Sequence, residues 1–164
     1  MAFNDLFCLS HPEVHTLSIG AAKPGDFDAH LEAIAQLGDA QSLVSGTLAR
    51  LNAAVDLVHG KEWRSGWQEG IPEWTAIPDG VNVWEILRLW TCATALDMTA
   101  FAKMRYNLLG QGGHWFPGKN ASEFEETAVR SVLTASPFRD RIPSILREAH
   151  QLLFEAPVER LGKD

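Results

Sequence analysis

Ser10-His11-Pro12-Glu13-Val14-His15-Thr16-Leu17-Ser18-Ile19-Gly20-Ala21-Ala22-Lys23-Pro24-Gly25-Asp26-Phe27-Asp28-Ala29-His30-Leu31 reads as one strand feeding one helix. Val14 to Ile19 carries the β-branched and apolar residues of a buried parallel strand, and Gly20 ends it. Pro24 opens a helix in which Phe27, Leu31 and Ile34 recur at helical spacing. No second segment of this kind follows in the 164 residues, so the strand implies partners that the chain does not supply. The fold class expected is mainly α, with this single βα unit ahead of a helical domain.

The boundary between the two is expected near residue 40, dividing the chain into 1–40 and 41–164. Gly38-Asp39-Ala40-Gln41-Ser42 is the break. Leu43, Leu48, Leu51, Ala54, Val55 and Val58 then form a helical stripe that ends at His59-Gly60, where glycine suits the residue after a helix. Lys61 to Gly80, rich in tryptophan, proline and glycine, reads as a loop. Asn82 has the character of an N-cap, with Glu85 at the capping-box spacing and Ile86, Leu87, Leu89 and Trp90 behind it. A helical hairpin follows through Leu109, with Asp97 near its junction; Gly110 to Asn120 is irregular, and helices near Glu123–Leu133 and Pro143–Phe154 close the domain.

Composition narrows the class of partner. The formal net charge is −7, with a sequence pI near 5.3. Duplex binding rests on clustered Lys and Arg that neutralise phosphates, so nucleic acid is not an expected partner, and an anionic membrane surface is excluded on the same ground. No apolar run approaches the length of a membrane span, and no basic stretch followed by an apolar core marks a secretion signal. Two cysteines far apart, Cys8 and Cys92, make no disulfide framework, and a cytoplasmic location is expected.

The strand-helix segment resembles the last strand and helix of the aldo/keto reductase (β/α)8 barrel, with Phe7 to His11 similar to the end of the preceding helix. In that family the loop after the last strand and the start of the next helix hold the adenosine 2′-phosphate and adenine of NADP. The family pattern is Gly-Ala-Ser-Asn, then Gln or Asp, then Asn four residues later. The matching positions are Gly20, Ala21, Ala22, Lys23, Asp26 and His30, so serine is replaced at Ala22 and asparagine at His30. The resemblance implies that these six bind NADP. Lys23, at a helix N-terminus, is placed to meet a phosphate, the alternative being a solvated surface charge.

The likeness extends to the helical C-terminal extension of some bacterial members, which is similar to a two-cluster ferredoxin. It is carried by Ile77 to Leu89, Lys103-Met104-Arg105-Tyr106-Asn107-Leu108-Leu109-Gly110, Gly113-His114-Trp115-Phe116-Pro117-Gly118-Lys119-Asn120-Ala121, and Ser136-Pro137-Phe138 through Ile142 to His150. Iron–sulfur clusters need closely spaced cysteine thiolates, which are missing here, so no iron–sulfur cluster is expected. Trp67, Ile71, Trp74 and Ile77 stand before Pro78, and Ser136 before Pro137. Residues 41–164 therefore resemble a degenerate, ferredoxin-like domain in which apolar packing has replaced the clusters.

Other chemistry-bearing residues read as structural. His11, Glu13 and His15 lack a third ligand nearby, and Pro12 breaks the helix that would align them, so no metal site is expected. His114 lies in a glycine-rich loop beside Trp115 and Phe116, which plug such a loop into a core. Cys92 reads as a buried small residue and His150 as a helix-end or interface residue.

Aldo/keto reductases use an Asp, Tyr, Lys and His tetrad from the first half of the barrel. That half is absent from these residues, and Tyr106, the single tyrosine, lies in the helical extension. The chain alone is expected to be inactive. Three readings stay open. The chain is the C-terminal piece of a longer NADP-dependent reductase of carbonyl compounds, or a separate subunit completing a barrel whose missing half is encoded upstream, or a non-catalytic helical interaction module.

Overall fold

The computed structural model describes residues 2–111 and 117–156, and they are mainly helical. The chain divides into two compact units, Met1–Ala53 and Ala54–Asp164. The division falls further along than the break expected near residue 40, because Gly38 and Asp39 sit in a 3-10 turn, Leu37–Asp39, that leads straight into the next helix.

In the first unit, helix α1 (Ala2–Leu9) packs on α2 (Asp28–Ile34), and α3 (Ala40–His59) begins behind them. Leu6, Ala40 and Val44 are buried together, with Phe3 and Leu48 against them. The C-terminal carbonyls of α1 are closed by side chains: Ser10 Oγ donates to the Phe7 carbonyl at 2.7 Å, and His11 Nδ1 lies 2.8 Å from the same oxygen.

Val14 to Ile19 is not a strand. Among the described residues there is no sheet, and the one strand-like pairing is an isolated parallel bridge between Val81 and Lys119. A strand exists through its ladder of interstrand hydrogen bonds, and Val14–Ala21 has no described chain to pair with. The helix expected from Pro24 is likewise split into a 3-10 turn, Pro24–Phe27, and the short α2. Its apolar positions face away from the unit's own core: Phe27 is 44% exposed, Leu31 62% and Ile34 48%, whereas His30 and Ala33 are buried.

The second unit contains the end of α3, α4 (Lys61–Gly66), α5 (Val83–Ala95), α6 (Thr99–Tyr106), α7 (Glu126–Val132) and α8 (Ile142–Leu153). Its core is built on α5 and α8, which pack on each other and on α6. Ile86, Leu87 and Leu89 from α5 and Ile142, Leu146 and Leu153 from α8 are fully buried. Truncating any one of these to alanine removes about 2–5 kcal/mol.

The expected hairpin after Asn82 is α5 and α6, turned at Asp97, whose φ of 55° lies in the left-handed region that Asp tolerates. The capping box is half realised. Asn82 Oδ1 accepts from Glu85 N at 3.0 Å, but the Glu85 carboxylate takes a forked contact from Arg88 instead of reaching back. Asn82 Nδ2 donates to the Pro117 carbonyl at 2.8 Å and its backbone N–H to Lys119 O at 2.9 Å, fixing the start of α5 to residues 117–119.

Lys61–Gly66 is helical where a loop is expected. Trp63, fully buried, anchors it, and the Arg64–Asp56 ion pair at 2.6 Å ties it to the end of α3. Two glycines permit close approaches further on. A Cβ at Gly70, with φ of 68°, would lie 2.2 Å from the Ala135 carbonyl carbon, and one at Gly118, with φ of 81°, 2.8 Å from Asn82 Cβ.

Candidate functional site

The six positions matched to the cofactor loop lie together in the first unit but make uneven contacts. Gly20, Ala21, Ala22 and Lys23 are exposed, and nothing lies within 4 Å of where a Cβ would stand on Gly20. Asp26 folds back, its Oδ2 accepting from the backbone N–H of Ala22 at 2.9 Å and of Lys23 at 3.1 Å. These are the amides that an anion at the start of this turn would use, and a carboxylate of the chain already sits on them.

His30 points the other way in chemical terms. Its Nδ1 is 2.6 Å from Asp5 Oδ2, a short N–H to carboxylate bond between two buried side chains. The pair joins α1 to α2 and lines a cleft of about 240 Å³ with Leu9, His15, Thr16, Leu17, Ile19 and Ile34. His30, expected as a substituted cofactor contact, is instead hydrogen-bonded to Asp5, which no motif in the sequence marks. A carboxylate on an amphipathic helix 25 residues upstream carries no local signal of such a partner.

The ring Nδ1 atoms of His11 and His15 both contact backbone carbonyls close by in the chain. His11 Nδ1 is on Phe7 O, and His15 Nδ1 is 3.1 Å from Glu13 O. Among the described residues no group of three or more His, Cys, Asp or Glu is placed to hold a metal ion. His114, Trp115 and Phe116 lie outside the described residues. Cys92 is half-buried on α5, and burial pushes its thiol pKa up, which keeps it protonated and a poor nucleophile.

The second unit holds a polar pair that spacing does not reveal. The Ala121 backbone N–H donates to the Tyr106 hydroxyl at 3.0 Å, and that hydroxyl lies 2.8 Å from His150 Nδ1. The N–H of Ala121 can only donate, so the phenol oxygen accepts there, while its bond with His150 Nδ1 runs in the direction that the imidazole tautomer sets. Burial drives the Tyr106 pKa up to about 12, the Ala121 N–H opposing it, and burial lowers that of His150. Phe154 stacks on the imidazole with centroids 4.7 Å apart. His150 also lines a shallow cleft of about 260 Å³ with Ser122, Phe124 and Arg147, whose guanidinium pairs with Glu126. Tyr106 itself is fully buried, with its hydroxyl in contact with both Ala121 N and His150 Nδ1.

At the positions where apolar packing is expected in place of clusters, most side chains are buried. Trp67 and Ile77 are buried, Ile71 packs against the same core, and Trp74 is half-buried at the surface. Trp63 stands edge-on to Trp90 at 5.5 Å and to Phe138 at 5.0 Å. The Arg141 guanidinium lies 5.0 Å from the Trp63 ring centre. Ser136 is buried, its Oγ accepting from Phe138 N at 3.3 Å.

No family model, curated protein or solved structure matches this chain. Among the described residues no helix is long and apolar enough to cross a membrane.

Proposed function

We propose that the chain is the C-terminal part of an aldo/keto reductase-like, NADP-dependent oxidoreductase of carbonyl compounds, and that it lacks the catalytic tetrad and is inactive alone. The reading rests on the resemblance in residues 10–31 together with one structural observation. Val14–Ala21 pairs with no strand among the described residues, and Phe27 of the 3-10 turn with Leu31 and Ile34 of α2 are left largely in solvent. A βα unit whose sheet and neighbouring helices come from other residues has this character, since a parallel strand needs cover on both faces.

NADP enters through the resemblance. The exposed Lys23 ammonium and the open turn at Gly20 suit an anion, but the Ala22 and Lys23 amides hold Asp26, and His30 is committed to Asp5. The six residues are an incomplete seat for a 2′-phosphate.

A second reading is favoured by the second unit, whose core is assembled from its own residues. It is a helical interaction module that acts without the barrel. The experiment that separates the two isolates the native species carrying the tryptic peptide Tyr106–Lys119 and assays NADPH oxidation with a panel of aldehydes. Turnover by that species, and none by the 164-residue chain produced alone, is expected. A native species without turnover overturns the reductase reading.

A further inference from the structure

A cleft of about 300 Å³ opens in the second unit between Ile71, Pro72, Glu73 and Trp74 on one stretch of chain and Trp84 and Pro117 on others. Both indoles are held in place. The backbone of Gly118 approaches Trp74 so closely that a Cβ there would stand 3.3 Å from Trp74 Cγ, and one on Gly80 would stand 3.8 Å from the ring. Trp84 is braced by the buried Trp67, with ring centroids 5.4 Å apart, yet is itself 42% exposed beside α5 positions that are fully buried.

The polar groups of the cleft are nearly all spent. Asn82, which also lines it, uses Oδ1 on Glu85 N and Nδ2 on Pro117 O. What is left is the exposed Glu73 carboxylate, which no ion pair among the described residues engages. Two fixed aromatic side chains, two proline rings and one uncommitted carboxylate select against anions. A hydrated metal ion is poorly served as well, because it asks for several oxygen ligands. A weakly hydrated organic cation gains from both features, through the negative faces of the indoles and the carboxylate counter-charge.

We infer that this cleft binds a small organic cation of the quaternary ammonium class, against Trp74 and Trp84, with Glu73 as its counter-ion. The site lies wholly within the second unit and is independent of the reductase reading.

Isothermal titration of the full 164-residue chain with choline chloride, and with its neutral carbon isostere 3,3-dimethylbutan-1-ol, tests it. Saturable choline binding is expected, with the isostere at least about tenfold weaker, since the charge supplies the cation–π and counter-ion terms. Trp84→Ala should abolish binding while Trp84→Phe retains part of it, and Glu73→Gln should weaken it by about 1.5-fold to fivefold, the range of a surface charge pair. Trp84 and Glu73 are both exposed, so the variants should keep the far-ultraviolet circular dichroism of the parent. Absence of saturable heat, equal affinity for the neutral isostere, or full binding by folded Trp84→Ala overturns the proposal. If Trp84→Ala does not fold, the isostere and Glu73→Gln still decide it.

Discussion

Tyr106 shows how much a single hydroxyl can organise. Its oxygen accepts a hydrogen bond from the buried Ala121 amide and lies in hydrogen-bond contact with His150 Nδ1, so one atom closes a loop segment onto α6 and α8. Tyr106→Phe keeps the ring's packing and leaves the Ala121 N–H and His150 Nδ1 without this partner. It should cost about 1–3 kcal/mol, read as a lower urea midpoint at unchanged slope. The same geometry sets a pH dependence. Burial holds the His150 pKa below its ordinary 6.5, and burial together with Arg141 does so for His59. The unfolded chain therefore binds protons first as pH falls. The contribution of these neutral imidazoles is complete above pH 6.5 and is lost as pH drops through the lowered folded-state values. Urea midpoints measured between pH 7.5 and 5 should decline, and His150→Gln should flatten part of that decline. None of this was legible in the sequence, because Tyr106, Ala121 and His150 are brought together by helix packing and not by any short spacing.

At the scale of elements, legibility followed the strength of local signals. Asn82 with the apolar run behind it marked α5, and the Asp97 region marked the turn into α6, because caps and periodicity are local properties. The α4 helix was hidden by a glycine- and tryptophan-rich composition, and it is the burial of Trp63 that holds it. Val14–Ile19 has strand character in its side chains, but strand structure depends on a neighbour. Hydrogen exchange should expose that dependence. No hydrogen bond within the described chain protects the backbone amides of His15 to Ala21, so they should exchange near the unfolded rate while those of α5 are protected by orders of magnitude. Slow exchange across His15–Ala21 in the isolated chain would mean that the segment is already satisfied internally.

For the molecule as a whole, the two units place different demands on their surroundings. The second has a core of α5, α6 and α8 with its own aromatic infill, and residues 54–164 alone should give a cooperative thermal transition. A broad, non-cooperative melt of that piece would show that its stability is borrowed from the first unit. In the first unit Leu6, Ala40 and Val44 form the small buried cluster, while Ile19, Phe27, Leu31, Ile34 and Leu37 are more than a third exposed. Such an apolar surface is a liability unless something covers it. Removing residues 1–53 should therefore reduce aggregation.

What covers that surface in the cell is the question on which the functional reading turns. The mass of the native protein, detected in its source cells through the peptide Tyr106–Lys119, answers it most directly. A species well above the 18.1 kDa of this chain is the expected result, with the remaining barrel strands on the same polypeptide. A species of 18.1 kDa that migrates alone under native conditions would contradict it.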